Sequence, residues 1–313
     1  MTENFHQSKT VSKETLQSLM TRSNHPALPR FIVLYAFFIL SCVCVIWAFH
    51  ESWFIILLSQ ILFGLISCSM FACEHESVHN TAFKSRWLNK VVAFMAGIAH
   101  VYPSGLFREL HFTHHRYTHI PGKDPEISIG NNPAPAVLSS LPMYLGWISG
   151  VPLLTFKVFM LIMAAIGMPE PVRKYLFPFI NPKARLPIFF ESAFILLIYI
   201  SIIVLAIKVD IGFWGILIGQ VAGHCFLTCF VTAEHNGLPH EGNIMDKTRS
   251  TKTNRFVKLM MWNMPYHAEH HAYPAVPFYS LPQLNKELSP ELKHRQNGYP
   301  GFHLGAIKDF FIK

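Results

Sequence analysis

The pattern His-x-x-His-His occurs twice in this chain, as His111, His114 and His115 in HFTHH and as His267, His270 and His271 in HAEHH. A further pair, His75 and His79 in HESVH, follows a long apolar run. Histidines at i, i+3 and i+4 share one face of a helix, so each box presents its imidazoles to one side. Neutral imidazole is a ligand for iron, copper, nickel and zinc. With 18 His in 313 residues the five-residue pattern should arise by chance only ~0.06 times. Two copies in an apolar chain therefore point to a histidine-rich metal centre. His235 in Glu234-His235 closes a later apolar run on the same side as the boxes and joins the candidate ligands. Glu234 and His119, the latter continuing the second box's face at i+8, are expected beside the centre rather than in it.

Nine imidazoles (His75, His79, His111, His114, His115, His235, His267, His270 and His271) are too many for one octahedral or tetrahedral ion. Two metals taking four or five each can use them and leave positions for oxygen. Imidazole ligation without thiolate suits iron, copper or zinc. Zinc has no redox chemistry, so a centre that activates O2 at the edge of a bilayer points to two irons. His100 and His224 are weaker candidates, and His224 lies within an apolar span as polar lining.

The elements that must position these residues are membrane helices. Hydrophobic residues make up 51% of the chain and charged residues 14%, against about 25% charged in soluble domains. The runs 31–49 and 53–72, separated by His50-Glu51-Ser52, each have the roughly 20 residues needed to cross a hydrocarbon core of about 30 Å. The runs 188–207 and 211–233 form a second hairpin around Lys208-Val209-Asp210. The fold expected is all-α and integral to the membrane, with four spans in two hairpins, interfacial helices and a cytoplasmic helical histidine-box domain. The net charge is +8. Lys9, Lys13, Arg22 and Arg30, then Lys84, Arg86 and Lys90, then Arg173, Lys174, Lys183 and Arg185 flank the outer ends of the spans. Positive residues mark the cytoplasmic side, so both termini and every box are expected there. The run 91–101 is too short to span. The run 137–166 is interrupted by Pro142, Gly146, Gly150 and Pro152. A single crossing by it would put the second and third boxes on opposite sides, so it reads as interfacial or re-entrant.

Other classes fit less well. The six cysteines lie in or at the end of apolar runs and form no CxxC pair, which excludes a zinc ribbon or a disulfide framework. No basic soluble face offers itself to nucleic acid. HESVH is literally HExxH, the zinc-protease pattern with Glu76 as general base, but that centre has no use for two further boxes. In HAEHH, Asn263 suits an N-cap and Pro265 the first helical turn.

The boxes HESVH, HFTHH and HAEHH, in that order, together with DPEI and WNMPYHAEHHAYPAVPFYSLPQL, resemble the membrane fatty acid desaturase/hydroxylase superfamily over roughly residues 30–285. The resemblance implies a cytoplasmic di-iron centre, the nine histidines above as ligands, and O2 as co-substrate. Desaturation of an aliphatic, fatty-acyl chain is the activity it implies, with hydroxylation, ketolation or oxidative decarboxylation as the alternative. Three residues between His75 and His79, and Val231 where some members have asparagine, are departures from parts of the family. The implied organisation is a cytoplasmic tail at 1–30, a membrane domain at 31–285 and a second cytoplasmic tail at 286–313. No HPGG haem motif, CxxxxCxxC run or GxGxxG fold is present, so electrons are expected from a ferredoxin or cytochrome b5-type partner.

Overall fold

The computed structural model describes residues 10–312; of the basic N-terminal segment, residues 1–9 lie outside the described part. A short helix, α1 (Lys13–Leu19), is started by Ser12, whose Oγ accepts from Thr15 N. The first hairpin is α2 (Leu28–Ala48) and α3 (Trp53–Val78). α2 has 21 residues, which at 1.5 Å each reach about 32 Å, the thickness of the hydrocarbon core. Phe31, Leu34, Phe38 and Val45 form its buried stripe, while Ile32, Phe37, Leu40 and Trp47 stay exposed, a pattern suited to lipid on the outer face. α3 does not stop at Ala72. It continues to Val78, so the first histidine box stands on the same continuous helix as the span.

Two bent helix pairs follow the first hairpin and bracket a loop. α4 (Arg86–Ala99) and α5 (Ser104–Tyr117) meet at 101°. A two-residue ladder, β1 (Ser128–Ile129) with β2 (Asn132–Pro133), stabilises the loop after α5. α6 (Leu141–Ile148) and α7 (Val151–Ala165) meet at 58°. The break between them is Gly150, in the left-handed region at φ +75°, where an added Cβ would lie 2.2 Å from Cys225 N. Only glycine permits both the turn and the close approach. α5 begins where it does because Glu191 accepts from Ser104 N at 2.6 Å and Gly105 N at 2.9 Å, satisfying free donors at a helix N-terminus.

After α8 (Glu170–Leu176), the second hairpin consists of α9 (Arg185–Lys208) and α10 (Trp214–His235). Asp210 opens the lead-in to α10 by accepting from Gly212 N at 2.6 Å. Four helical segments among the described residues are thus long and apolar enough to cross a membrane, and six if each bent pair counted as a span. α10 packs along α3, where an added Cβ on Gly219 would meet the Phe63 ring at 2.4 Å. Small residues let membrane helices approach this closely, and the contact fixes His75 and His79 relative to His235.

The remaining chain folds under the spans as α11 (Ile244–Lys247), β3 (Ser250–Lys252), α12 (Arg255–Met260), α13 (His267–Ala272), α14 (Leu281–Leu288), β4 (Arg295–Asn297) and α15 (Tyr299–Ile312). Arg30 ties it to α2, donating to Leu259 O at 2.7 Å and lying over the rings of Trp262 and Phe278. Two local expectations are corrected. Asn263 is not the cap of α13. It adopts φ +61° beside Trp262 at φ +48° and donates to Phe278 O, and the helix starts only at His267. The second box's helix ends at Tyr117, and His119 turns away at φ +61° instead of continuing its face. Within residues 286–312, β4 pairs in parallel with β3, and α15 packs on α10.

Candidate metal centre

All nine candidate imidazoles meet at one end of the helix bundle. α3 and its C-cap bring His75 and His79, α5 brings His111, His114 and His115, α10 brings His235, and α13 brings His267, His270 and His271. Ring nitrogens of His75, His79, His111, His115 and His270 lie within 4.8 Å of one another, as do those of His114, His235 and His271. The Nε2 of His267 lies 2.7 Å from that of His235, so its ring adjoins the second group. Other Nε2–Nε2 separations are 2.9 Å for His79–His111, 3.0 Å for His111–His115, 3.2 Å for His115–His270 and 3.3 Å for His114–His271. Two imidazoles bound at right angles about 2.1 Å from one ion stand about 3.0 Å apart, so these spacings fit adjacent ligands.

The partners of the outward ring nitrogens fix which nitrogen faces inward. His114 Nδ1 donates to both Asp124 oxygens at 3.0 Å, and His235 Nδ1 donates to Lys247 O at 2.9 Å. His75 Nδ1 donates to Glu76 Oε1 at 3.1 Å, leaving a buried Nε2 with no hydrogen-bond partner. His271 Nδ1 lies 3.3 Å from Thr118 Oγ1, whose own proton goes to His114 O. With both protons outward, the His114 and His271 Nε2 lone pairs face each other across 3.3 Å. That contact is repulsive unless a proton or a metal cation lies between them. The donor set therefore fits metal, and the outward bonds to carboxylate and carbonyl are those that orient ligating histidines.

Burial supports the neutral form that ligation requires. Burial, reinforced by neighbouring imidazoles, pushes His79, His111, His115, His267 and His271 well below the ordinary histidine range, and His270 down to about 3. His114 goes the other way. Burial opposes its charge, yet the Asp124 and Glu126 carboxylates lift it to about 9.

Glu234 lies next to His267, and His119 next to His235. Glu234 is buried, with Oε1 3.6 Å from His267 Nδ1 and no hydrogen bond. His119 donates from Nδ1 to Pro239 O, and its ring centroid is 6.0 Å from that of His235. Sequence reasoning missed Asp124 and Glu126 as partners of the second box. Glu126 stands 3.5 Å from His114 and 3.8 Å from His111. Their signal was the acidic DPEI motif, which begins ten residues after His114. Glu269, inside the third box, faces away and accepts from Ser250 and Asn285, anchoring α13. Glu76 is buried and accepts from His75 Nδ1 at Oε1.

A cavity of about 1090 Å³ reaches the second group. His114, His119, Asp124, Glu126, Glu234 and His235 form its polar wall, and Phe71, Phe107, Trp147, Phe156, Leu227 and Val231 much of the apolar remainder. Residues of α6, α7 and α15 complete its lining.

The family model described as fatty acid desaturase matches residues 51–302. The sn-1 oleoyl-lipid 12-desaturase of Picosynechococcus sp. is 23% identical over 254 residues, covering 73% of this chain and 67% of its own length.

Proposed function

This chain belongs to the fatty acid desaturase family, and from that premise we propose that it uses O2 to introduce a double bond into an aliphatic, fatty-acyl chain. The metal ligands proposed are His75, His79, His111, His115 and His270 for one iron and His114, His235, His267 and His271 for a second. The observation that carries the reading is the convergence of these nine ring nitrogens in two adjacent groups against the wall of one largely apolar cavity. Two irons bound there would supply the activation of O2 that removal of hydrogen from an unactivated C–H bond demands.

The protein's own part is orientation, dryness and placement. Asp124, Glu76 and the Lys247 carbonyl hold His114, His75 and His235 with Nε2 inward. Phe71, Phe107 and Leu227 keep water from the cavity and hold an extended chain by dispersion and burial. Glu234, with a buried oxygen free of hydrogen bonds at the cavity wall, can hold a proton at Oε1 beside His267. Position of the chain relative to the centre, set by these walls, decides between loss of a second hydrogen and gain of oxygen. The family and the relative's activity favour desaturation.

The proposed topology has the boxes and both termini on the cytoplasmic face, where a ferredoxin or cytochrome b5-type protein delivers electrons. A hydrolytic zinc centre is disfavoured by the buried, hydrogen-bonded state of Glu76. Mass spectrometry of host lipids with and without expression tests the activity. An O2-dependent product lighter by two hydrogens is expected. A product heavier by one oxygen would make the protein a hydroxylase, and a product formed without O2 would overturn both.

A further inference from the structure

α7 carries one charged side chain, Lys157, in an otherwise apolar sequence. It is 2% exposed. Its Nζ lies 3.0 Å from His100 Nδ1, and His100 Nε2 lies 2.5 Å from Glu74 Oε2. An ammonium only donates, so Nδ1 accepts and His100 carries its proton on Nε2, which donates to Glu74. The ammonium also lies over Tyr102 and Phe71, 4.7 and 5.2 Å from their ring centroids. None of the nine candidate ligands takes part in this line of hydrogen bonds.

A buried amine in an apolar membrane helix is expensive and marks function more often than stability. Here a neutral imidazole stands between the charges, so the triad sums to zero. Lys157 has three N–H donors, of which the His100 bond is the one hydrogen bond formed among the described residues. Lys157, Phe71 and Tyr102 line the same cavity as Glu234 and His235. Steps of 4.7, 5.0 and 5.0 Å lead from Nζ through the Tyr102 and Phe107 rings to that of His111. At roughly 1.2 Å of reach per bond in an extended chain, that path is about a dozen bonds long.

We propose that Lys157, backed by His100 and Glu74, is a specificity-determining residue that donates hydrogen bonds to an uncharged oxygen acceptor within the substrate. The acceptor is a carbonyl or hydroxyl on the same chain as the reacting carbons, about a dozen bonds or fewer away. Neutrality of the triad selects an ester carbonyl or a hydroxyl over a carboxylate. The proposal rests on the reading of the cavity as the substrate chamber.

Binding to the full-length, detergent-solubilised protein tests it, with the intrinsic fluorescence of residues such as Trp147 on the cavity wall as signal. The probes are an alkane, a primary alcohol, a methyl ester and a carboxylate of equal chain length. The alcohol and ester should bind about tenfold more tightly than the alkane, the worth of one hydrogen bond from a charged donor. Lys157→Met should erase that difference and leave alkane binding unchanged, whereas Lys157→Gln, which keeps N–H donors, should retain part of it. Equal binding of alkane and ester by the native protein would overturn the proposal, as would a Lys157→Met variant that weakens all four probes alike. Tenfold preference for the carboxylate would overturn the choice of a neutral acceptor. If Lys157→Met does not fold, the native series and Lys157→Gln decide. Binding requires no turnover, so failure here leaves the desaturase reading standing. Discrimination without any oxidised product would count against that reading alone.

Discussion

At the residue scale the centre depends as much on what holds the imidazoles as on the imidazoles. Asp124 is fully buried and accepts from His114 Nδ1, His119 N and Glu126 N, so one carboxylate fixes both a ligand and the loop behind it. Asp124→Asn keeps the shape but offers Nδ1–H a weaker acceptor. Its metal should be removed by a chelator 10- to 100-fold more readily than the native protein's, as read by metal content after dialysis. Acid should act on the same residues. Six buried imidazoles of the boxes, all outside the spans, refuse protons that the unfolded chain accepts below about 6.5. Stability of the metal-free protein should therefore fall as pH drops below that value, by up to about 1.4 kcal/mol per pH unit for each imidazole. His114, raised to about 9, acts oppositely, but its contribution is already complete below 6.5 and leaves the acid slope to the others. Melting temperatures of metal-free protein between pH 7.5 and 5 check this, and a flat profile would contradict it. Eight of the nine candidate histidines stand out in the sequence because their spacing marks a helical face, and His235 because it closes an apolar run. The Glu74–His100–Lys157 line was not, because its members are 26 and 57 residues apart and no periodicity joins them.

At the element scale, close backbone contacts set where each box stands. Gly150 lets the start of α7 rest on α10 at Cys225, so Gly150→Ala adds both a Cβ only 2.2 Å from the Cys225 backbone N and a strained positive φ. A loss of several kcal/mol is expected, seen as a sharp drop in folded protein recovered in detergent. Gly146→Ala, with nothing within 4 Å of the added Cβ, should recover as the native protein does. Similar recovery of both variants would mean that the α7–α10 contact is not fixed. The four long helices were legible from run length. Their ends were less so. The Glu191 cap of α5 comes from a span more than 80 residues downstream, and the left-handed Trp262–Asn263 turn displaced the start of α13 from where the Asn-Met-Pro sequence placed it. Both are tertiary contacts that override local propensity.

At the scale of the whole molecule, the two hairpin loops meet far from the histidines, where His50 Nε2 lies 2.8 Å from Asp210 Oδ1. The proposed topology puts this pair on one side of the membrane and Lys252 and Lys308 on the other. Single cysteines at Glu51 and Val209 should therefore react with an impermeant maleimide from the side opposite to cysteines at Lys252 and Lys308. Labelling of all four from one side would contradict four crossings. α15 and the β3–β4 ladder were invisible in sequence because a three-residue parallel pairing over some 45 positions leaves no local pattern.

The central claim is that nine imidazoles form two adjacent metal sites. The most direct measurement is elemental analysis of purified protein alongside His270→Ala and His271→Ala, one variant from each group. Two irons per chain are expected for the native protein, with substantial loss from each variant. One zinc per chain, unaffected by either substitution, would contradict the account.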